Sequence, residues 1–417
     1  MGSSYRAGAA LWVVGLGAAL LSGCAGPTPS GSAAASGLGC TQSAPGITGT
    51  TVKIGAIFPT TGPQGPFFSA VGSGILARFR AQNQSGGIAG RQLELVAADD
   101  GDGDLENLSA AQYLTSAAHV FGIIEASTNS DGSAAYLHRL GIPVTGWGIT
   151  PAWGRYLNMF GYRYSTSPNP QGEPTTTVAA FIRARHGQRV AVLAGGATAS
   201  VNFARQIIET LPAFGLTLAY ENLDEPLGQT DYSFDAQAMR RAGVDTVVPA
   251  MATLSNIDLY KTAAAIGLHF KVGMLPAGYD TRLAAADGAL LSGAYVALDW
   301  RPFELPVPAH QEFKAELAAV APTAFPGQLA MVGWLSADAF IRGLEASGVG
   351  CPTRRAFISS LRKVKDYTAD GLLPPTSFAA EFGQMPLCYW ELEIHPGGFT
   401  PSGPQPFCGT LFRARSR

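Results

Sequence analysis

From Ile47 onward, two hydrophobic patterns alternate along the chain. Short apolar runs mark strands buried on both faces, and segments with apolar residues every three or four positions mark amphipathic helices. Val52–Phe58 is a run of the first kind, closed by the turn Thr60-Thr61-Gly62-Pro63. Val71, Ile75 and Phe79 then fall at helical spacing, and Gly86-Gly87 ends that helix. The pattern predicts a strand over Leu93–Ala98, an acidic turn over Asp99–Asp104, a helix over Leu108–His119 and a strand over Phe121–Glu125. Tyr136–Leu140 closes a short helix, and Pro143–Gly146 opens the next strand.

A second series starts near Pro168. It predicts helices over Val178–His186, Phe203–Phe214, Ala236–Ala242 and Leu259–Ile266. Strands are predicted between them over Arg189–Leu193, Leu218–Glu221, Val244–Pro249 and Lys271–Leu275. This β-α-β-α rhythm argues parallel sheets with helices on both faces, so the fold class is α/β. Two series of similar length predict two doubly wound lobes. The tail departs from the rhythm. Gln311–Val320, Leu335–Ser347 and Ala356–Val364 are consecutive helical patterns, and Tyr389–His395 with Gly397, Gly398 and Phe399 reads as a hairpin. Crossings between the lobes are expected near Pro168 and near Asp299–Pro302.

The first residues carry a different signal. Arg6 gives a positive start, and Ala7–Leu21 is an apolar tract too short to span a bilayer. The junction Leu21-Ser22-Gly23-Cys24 resembles the bacterial lipobox, whose cysteine takes a lipid and becomes the first residue of the mature protein. Residues 1–23 therefore read as a signal peptide, and 24–46 as a lipidated cysteine followed by a flexible tether rich in Gly, Ser, Ala, Pro and Thr. The expected location is extracytoplasmic, held by lipid at the outer face of the cell membrane. A net charge of −2 without any Lys/Arg cluster argues against nucleic acid as a partner.

Besides Cys24 the chain has Cys40, Cys351, Cys388 and Cys408, an even number that in an exported protein suggests disulfides. The connectivity stays open. The favoured pairing joins Cys388 to Cys408 across a C-terminal hairpin and Cys40 to Cys351. Irregular spacing without Cys-x-x-Cys speaks against zinc. Asp100, Asp102 and Asp104 do not make a calcium loop, because Leu105 stands where glycine is needed and Ala111 where the closing acid is needed. Neither a metal nor a cofactor is expected.

Several segments together resemble the type I extracytoplasmic solute-binding proteins of ABC transporters, the leucine/isoleucine/valine-binding group. They are Val52-Lys53-Ile54-Gly55-Ala56-Ile57 with Thr61-Gly62-Pro63; Gly86-Gly87-Ile88-Ala89-Gly90-Arg91-Gln92-Leu93-Glu94-Leu95 with Asp99-Asp100; Leu140-Gly141-Ile142-Pro143-Val144; and Thr230-Asp231-Tyr232-Ser233-Phe234 with Ala242-Gly243-Val244-Asp245. Cys351-Pro352-Thr353 and the late cysteine pair resemble actinobacterial-type members. The resemblance implies two lobes joined by three crossover strands, the type I periplasmic-binding-protein fold. It places one lobe at 50–167 plus 301–372 and the other at 168–300 plus 373–417. It also implies a small-molecule ligand held between the lobes, hinge closure, and delivery to an ABC permease and its ATPase by a monomer. The chain has no Gly-x-x-x-x-Gly-Lys-Ser/Thr loop, so energy would come from that ATPase.

Ligands of open α/β sheets bind beyond the carboxyl ends of the strands. In the first lobe this nominates Phe67 and Phe68, then Ser127, Thr128 and Asn129, whose hydroxyls and backbone N–H groups suit a carboxylate or other acceptor. Trp147 is a candidate packing surface, and the resemblance gives Gly148 and Thr150 backbone and hydroxyl roles. In the second lobe the candidates are Ser200, Asn202, Met251, Tyr279 and Asp280. Amino-acid binders of the family place a tyrosine near Ser200 and an acid near Asp280. The tyrosine is missing here, and Asp280 reads first as a turn or helix-capping residue, with pairing to an ammonium as the alternative. A site rich in Phe, Trp, Met and Tyr with few charges also suits an aromatic or less polar acid, or an amide. No Gly-x-Ser-x-Gly elbow or His-Glu-x-x-His helix occurs, so an exported hydrolase is the weaker alternative. A ligand-sensing lipoprotein serving a signalling receptor is the other.

Overall fold

The computed structural model describes residues 44–164, 173–348 and 352–412. Cys24, Cys40, Cys351, the signal segment, the tether up to residue 43 and the crossing expected near Pro168 lie outside the described residues; the last three tether residues are not free, since the Gly46 carbonyl accepts from the Lys53 N–H at 2.7 Å and Ala44 packs on the core.

The first series forms β1 (Thr51–Ile57), α1 (Gly65–Gln84), β2 (Gln92–Ala98), α2 (Asp104–Gln112), β3 (Ile123–Glu125), α3 (Asp131–Arg139), β4 (Val144–Gly148) and β5 (Met159–Tyr164). The five strands make one parallel sheet in the order β2-β1-β3-β4-β5. Neighbouring residues point to opposite faces, so the apolar runs serve two cores. Ile54, Ala56, Ile124 and Phe160 join one hydrophobic cluster, whereas Ile57, Ile123, Val144 and Met159 join the other. The helix expected over Leu108–His119 is shorter: α2 stops at Gln112 and continues as a wide π turn over Tyr113–Ala117.

The second series gives α4 (Thr177–Ala184), β6 (Arg189–Gly195), α5 (Thr198–Thr210), β7 (Thr217–Glu225), α6 (Ser233–Arg241), β8 (Thr246–Ala250), α7 (Thr253–Ala265), β9 (Val272–Met274), α8 (Thr281–Asp287) and β10 (Ala294–Leu298). The chain then supplies α9 (Pro308–Val320), α10 (Gln328–Ala346) and α11 (Arg354–Leu361), and ends in β11 (Cys388–His395), β12 (Gly398–Pro401) and β13 (Phe407–Cys408). The second sheet runs β12-β11-β10-β9-β8-β6-β7, parallel from β7 to β10 and antiparallel where β11 and β12 return.

Helices α9 and α10 return to the first lobe and pack on α1. Small residues permit the α1–α10 contact: a Cβ at Gly74 would stand 1.8 Å from the Ala330 carbonyl oxygen, and one at Gly333 would stand 2.1 Å from that of Val71. Cys388 pairs with Cys408 across the β11–β13 ladder, the two sulfurs at disulfide distance. Between the lobes, Trp300 meets Phe303 edge-on and Phe303 stacks on Phe313, in a chain of aromatic contacts that also takes in Tyr279 and Phe399.

Candidate functional site

Each sheet has one point where the strand order reverses, between β1 and β3 in the first and between β6 and β8 in the second. Loops leaving the strands at such points spread apart and leave a crevice. Here the two crevices face each other across a cavity of about 140 Å³. Gln64, Phe67, Phe68, Thr128, Trp147 and Ile149 line it from the first sheet's loops. Ala199, Ser200 and Phe203 line it from α5, Ala250–Thr253 from the end of β8 into α7, Pro276 and Ala277 from the loop after β9, and Leu329 from the first turn of α10.

The acidic turn after β2 holds the first of these loops in place. Asp99 accepts hydrogen bonds from the Thr60 N–H at 2.7 Å and from the N–H groups of Thr61 and Gly101. Burial pushes the Asp99 carboxyl up, but these bonds and the Thr61 hydroxyl outweigh it and bring the group down to about 2. Asp102 accepts from the Gln64 N–H at 2.8 Å and from the Gln64 side-chain amide, which also donates to the Thr128 hydroxyl at 3.0 Å. The acids thus fix Gln64 and Thr128 beside the cavity. Phe68 packs against Trp147 with ring centroids 6.4 Å apart. On the opposite wall, Ala277 adopts φ +54°, a left-handed conformation that costs a non-glycine residue of order 1 kcal/mol. This turn brings Pro276 and Ala277 to the cavity.

Four helices begin at this cavity: α1, α5, α7 and α10. Their N-cap residues, Gln64, Ala197, Ala252 and Gly327, make no side-chain capping bond. Each helix start carries roughly half a positive charge from its aligned peptide dipoles. Among the described residues, no charged side chain lines the cavity. The arrangement is an apolar, aromatic chamber with positive backbone ends, suited to an apolar body bearing an acceptor-rich group.

Of the residues nominated from sequence, Phe67, Phe68, Thr128, Trp147, Ser200 and Met251 line this cavity. The others lie elsewhere. The Ser127 hydroxyl donates to buried Asp100 and accepts from the Asn129 N–H. Gly148 lies against Tyr164, where a Cβ would stand 2.6 Å from the ring. The Thr150 hydroxyl donates to Asp131, and Asn202 sits on α5 outside the lining. Tyr279 belongs to the interlobe aromatic chain, its hydroxyl donating to Glu304 at 2.6 Å. Asp280 caps α8 through the Arg282 N–H at 2.7 Å and pairs with the Arg282 guanidinium. Phe203, Pro276, Ala277 and Leu329 were not nominated. Phe203 falls one helical turn after Ser200, a spacing that marks the two as sharing a face; Leu329 had no local signal.

A family model described as periplasmic binding protein matches residues 51–398. No curated protein matches the chain. Several solved structures share its fold. A solute-binding protein of an ABC transporter from R. palustris, in complex with benzoate, is 16% identical over 87% of this chain and 98% of its own, with TM-score 0.72. A fatty acid ABC transporter substrate-binding protein from Thermomonospora curvata is 17% identical over 90% and 95%, with TM-score 0.71. A branched-chain amino acid transporter substrate-binding protein from Streptococcus pneumoniae, in complex with isoleucine, is 17% identical over 84% and 100%, with TM-score 0.68.

Proposed function

Because this chain belongs to the periplasmic binding protein family, we propose that it is the extracytoplasmic solute receptor of an ABC transporter, capturing a small, largely apolar carboxylic acid between its lobes and performing no chemistry on it. One observation carries this reading: an aromatic interlobe cavity onto which α5 and α7 open without a side-chain cap, and with no charged side chain among its described lining. The starts of α5 and α7 receive the carboxylate, the first N–H groups of α1 being bonded to the Gly62 and Gln64 carbonyls, and Phe67, Phe68, Trp147, Phe203 and Met251 enclose the apolar body. A free amino acid would leave its ammonium without a carboxylate partner at this wall, since Asp280 is engaged by Arg282. The benzoate complex and the fatty acid binder among the similar structures support an acid ligand. The lobes divide at 50–167 plus 301–372 and 168–300 plus 373–417. Cys24 carries the lipid anchor, Cys388–Cys408 is oxidised in the exported protein, and a monomer delivers the solute to permease and ATPase.

A thermal-shift screen tests the ligand class. Aromatic and branched aliphatic acids are expected to raise the melting temperature, by the equivalent of about 2.7 kcal/mol at roughly a hundred times Kd, whereas leucine and isoleucine give no shift. A shift with amino acids alone sinks the acid reading. For the anchor, Cys24→Ser is expected to move the protein from the membrane fraction to the soluble one; retention in the membrane fraction removes Cys24 from that role.

A further inference from the structure

Strands β6 and β8 pair in register, with Ala194 opposite Ala250, and α5 and α7 begin a few residues beyond that pair, at Thr198 and Thr253. The two helix starts therefore stand side by side on the second lobe's wall of the cavity. The loops leading to them touch, since a Cβ at Gly195 would lie 3.7 Å from Met251 Cγ. In α5 the first main-chain bond runs from the Val201 N–H to the Ala197 carbonyl, and in α7 from the Asn256 N–H to the Ala252 carbonyl. Alanine at both N-caps offers no side-chain oxygen. The N–H groups ahead of those bonds, Thr198 to Ser200 and Thr253 to Ser255, thus have no partner among the described residues.

A hydroxyl stands at each start. Thr253, the first residue of α7, is only 6% exposed and lines the cavity, and its hydroxyl has no hydrogen-bond partner among the described residues. Ser200, in the first turn of α5, lines the same cavity with its hydroxyl likewise unengaged. Folded chains rarely leave a buried hydroxyl unbonded. Other hydroxyls around the cleft are committed: Ser127 and Thr150 donate to Asp100 and Asp131, and Thr128 accepts from Gln64. A second chamber, of about 100 Å³, adjoins the first and is lined by Thr175 and Val178 at the start of α4. That start is covered by the chain's tail. The Thr176 N–H donates to the Thr410 carbonyl, and the Thr177 hydroxyl donates to the Leu387 carbonyl.

We propose that Thr253 and Ser200 are the carboxylate-selecting residues, both hydroxyls donating to the ligand's anionic group while the N–H groups of the two helix starts complete the grip. This rests on the acid-capture reading and deepens it by assigning the anion to the second lobe and naming the side chains that hold it. Several N–H and O–H donors satisfy a carboxylate without a counter-charge, whereas an ammonium, itself only a donor, gains nothing from them.

Titration calorimetry with benzoate and 3-methylbutanoate tests this on the full chain. Thr253→Val removes the hydroxyl at nearly constant volume and is expected to weaken both acids about tenfold or more, and Ser200→Ala about fivefold. Thr253→Ser restores the hydroxyl and is expected to bind within about threefold of wild type. Thr175→Val, at the second chamber, is expected to stay within about twofold. The ligand-free melting temperature of each variant separates a lost contact from lost folding, and Ser200→Ala decides alone if Thr253→Val does not fold. Wild-type affinity in both hydroxyl-deleting variants overturns the assignment. A loss in Thr253→Ser as large as in Thr253→Val does the same, because it assigns the effect to packing. So does a larger loss in Thr175→Val than in Thr253→Val, which moves the carboxylate to the second chamber. Absence of binding of either acid by the wild type overturns the acid-capture reading and the assignment with it.

Discussion

Glu125, the last residue of β3, is fully buried beneath the loop that carries Thr128. Asn107 donates to its Oε1 at 2.9 Å and also reaches Asp100. Burial, with the charges of Asp100 and Asp131 nearby, pushes the carboxyl up to about 8. Below pH 4.5, the ordinary value for this group, it is neutral in both folded and unfolded chains. Between 4.5 and about 8 the unfolded chain gives up its proton while the native chain keeps it, so stability falls as pH rises through that window. The effect is on the order of a few kcal/mol. Glu125→Gln is therefore expected to flatten the fall in denaturant-measured stability between pH 5 and about 8; an unchanged slope would show that the group ionises freely in the fold. The same scale explains the uneven reading of the cleft. Successive residues of a turn point in different directions, so of Ser127, Thr128 and Asn129 in the loop after β3 only Thr128 lines the cavity. Ser127 turns inward to Asp100 instead.

Strands and helices whose apolar faces meet a core were legible, because burial imposes a period on the sequence. Val71, Ile75 and Phe79 predicted α1, and all three are buried. First turns were not legible. Periodicity placed the start of α5 at Phe203 and that of α10 at Leu335, but the helices begin at Thr198 and Gln328. The extra turns of both helices contribute residues to the cavity wall, Ser200 and Leu329 among them. A turn facing a cleft rather than a core carries no core pattern, and neither α5 nor α10 has a side-chain cap to mark its start. Strand β5 escaped notice for a related reason: Gly161 and Arg163 interrupt its apolar run, although Arg163 is buried and paired with Glu381 at 3.2 Å. At the C-terminal hairpin, Cys388 and Cys408 close a loop with a sequence separation of 20. Cys408→Ser, or reductant, is expected to lower stability by about 3 kcal/mol in chemical denaturation. Equal midpoints with and without reductant would show that the staple does not form in the exported protein.

At the scale of the whole molecule, the two sheets present their reversal points to one shared cavity, and the proposed capture has the lobes closing on the solute there. Small-angle scattering is expected to show a smaller radius of gyration when a binding acid is added, together with the rise in melting temperature; a ligand that binds without compaction would point to a preclosed receptor. The sequence by itself determined the α/β class, the two wound series, the return of the tail and the family, because strand and helix periods and ordered motifs are local properties of the chain. Only the tertiary structure decided which side chains reach the cavity. Phe68, Phe203, Met251 and Leu329 meet there from four distant segments, and Ser127, Thr150, Tyr279 and Asp280 are drawn into other contacts. Direction and proximity across a cleft follow from how two sheets pack and twist, and no local pattern of residues encodes that.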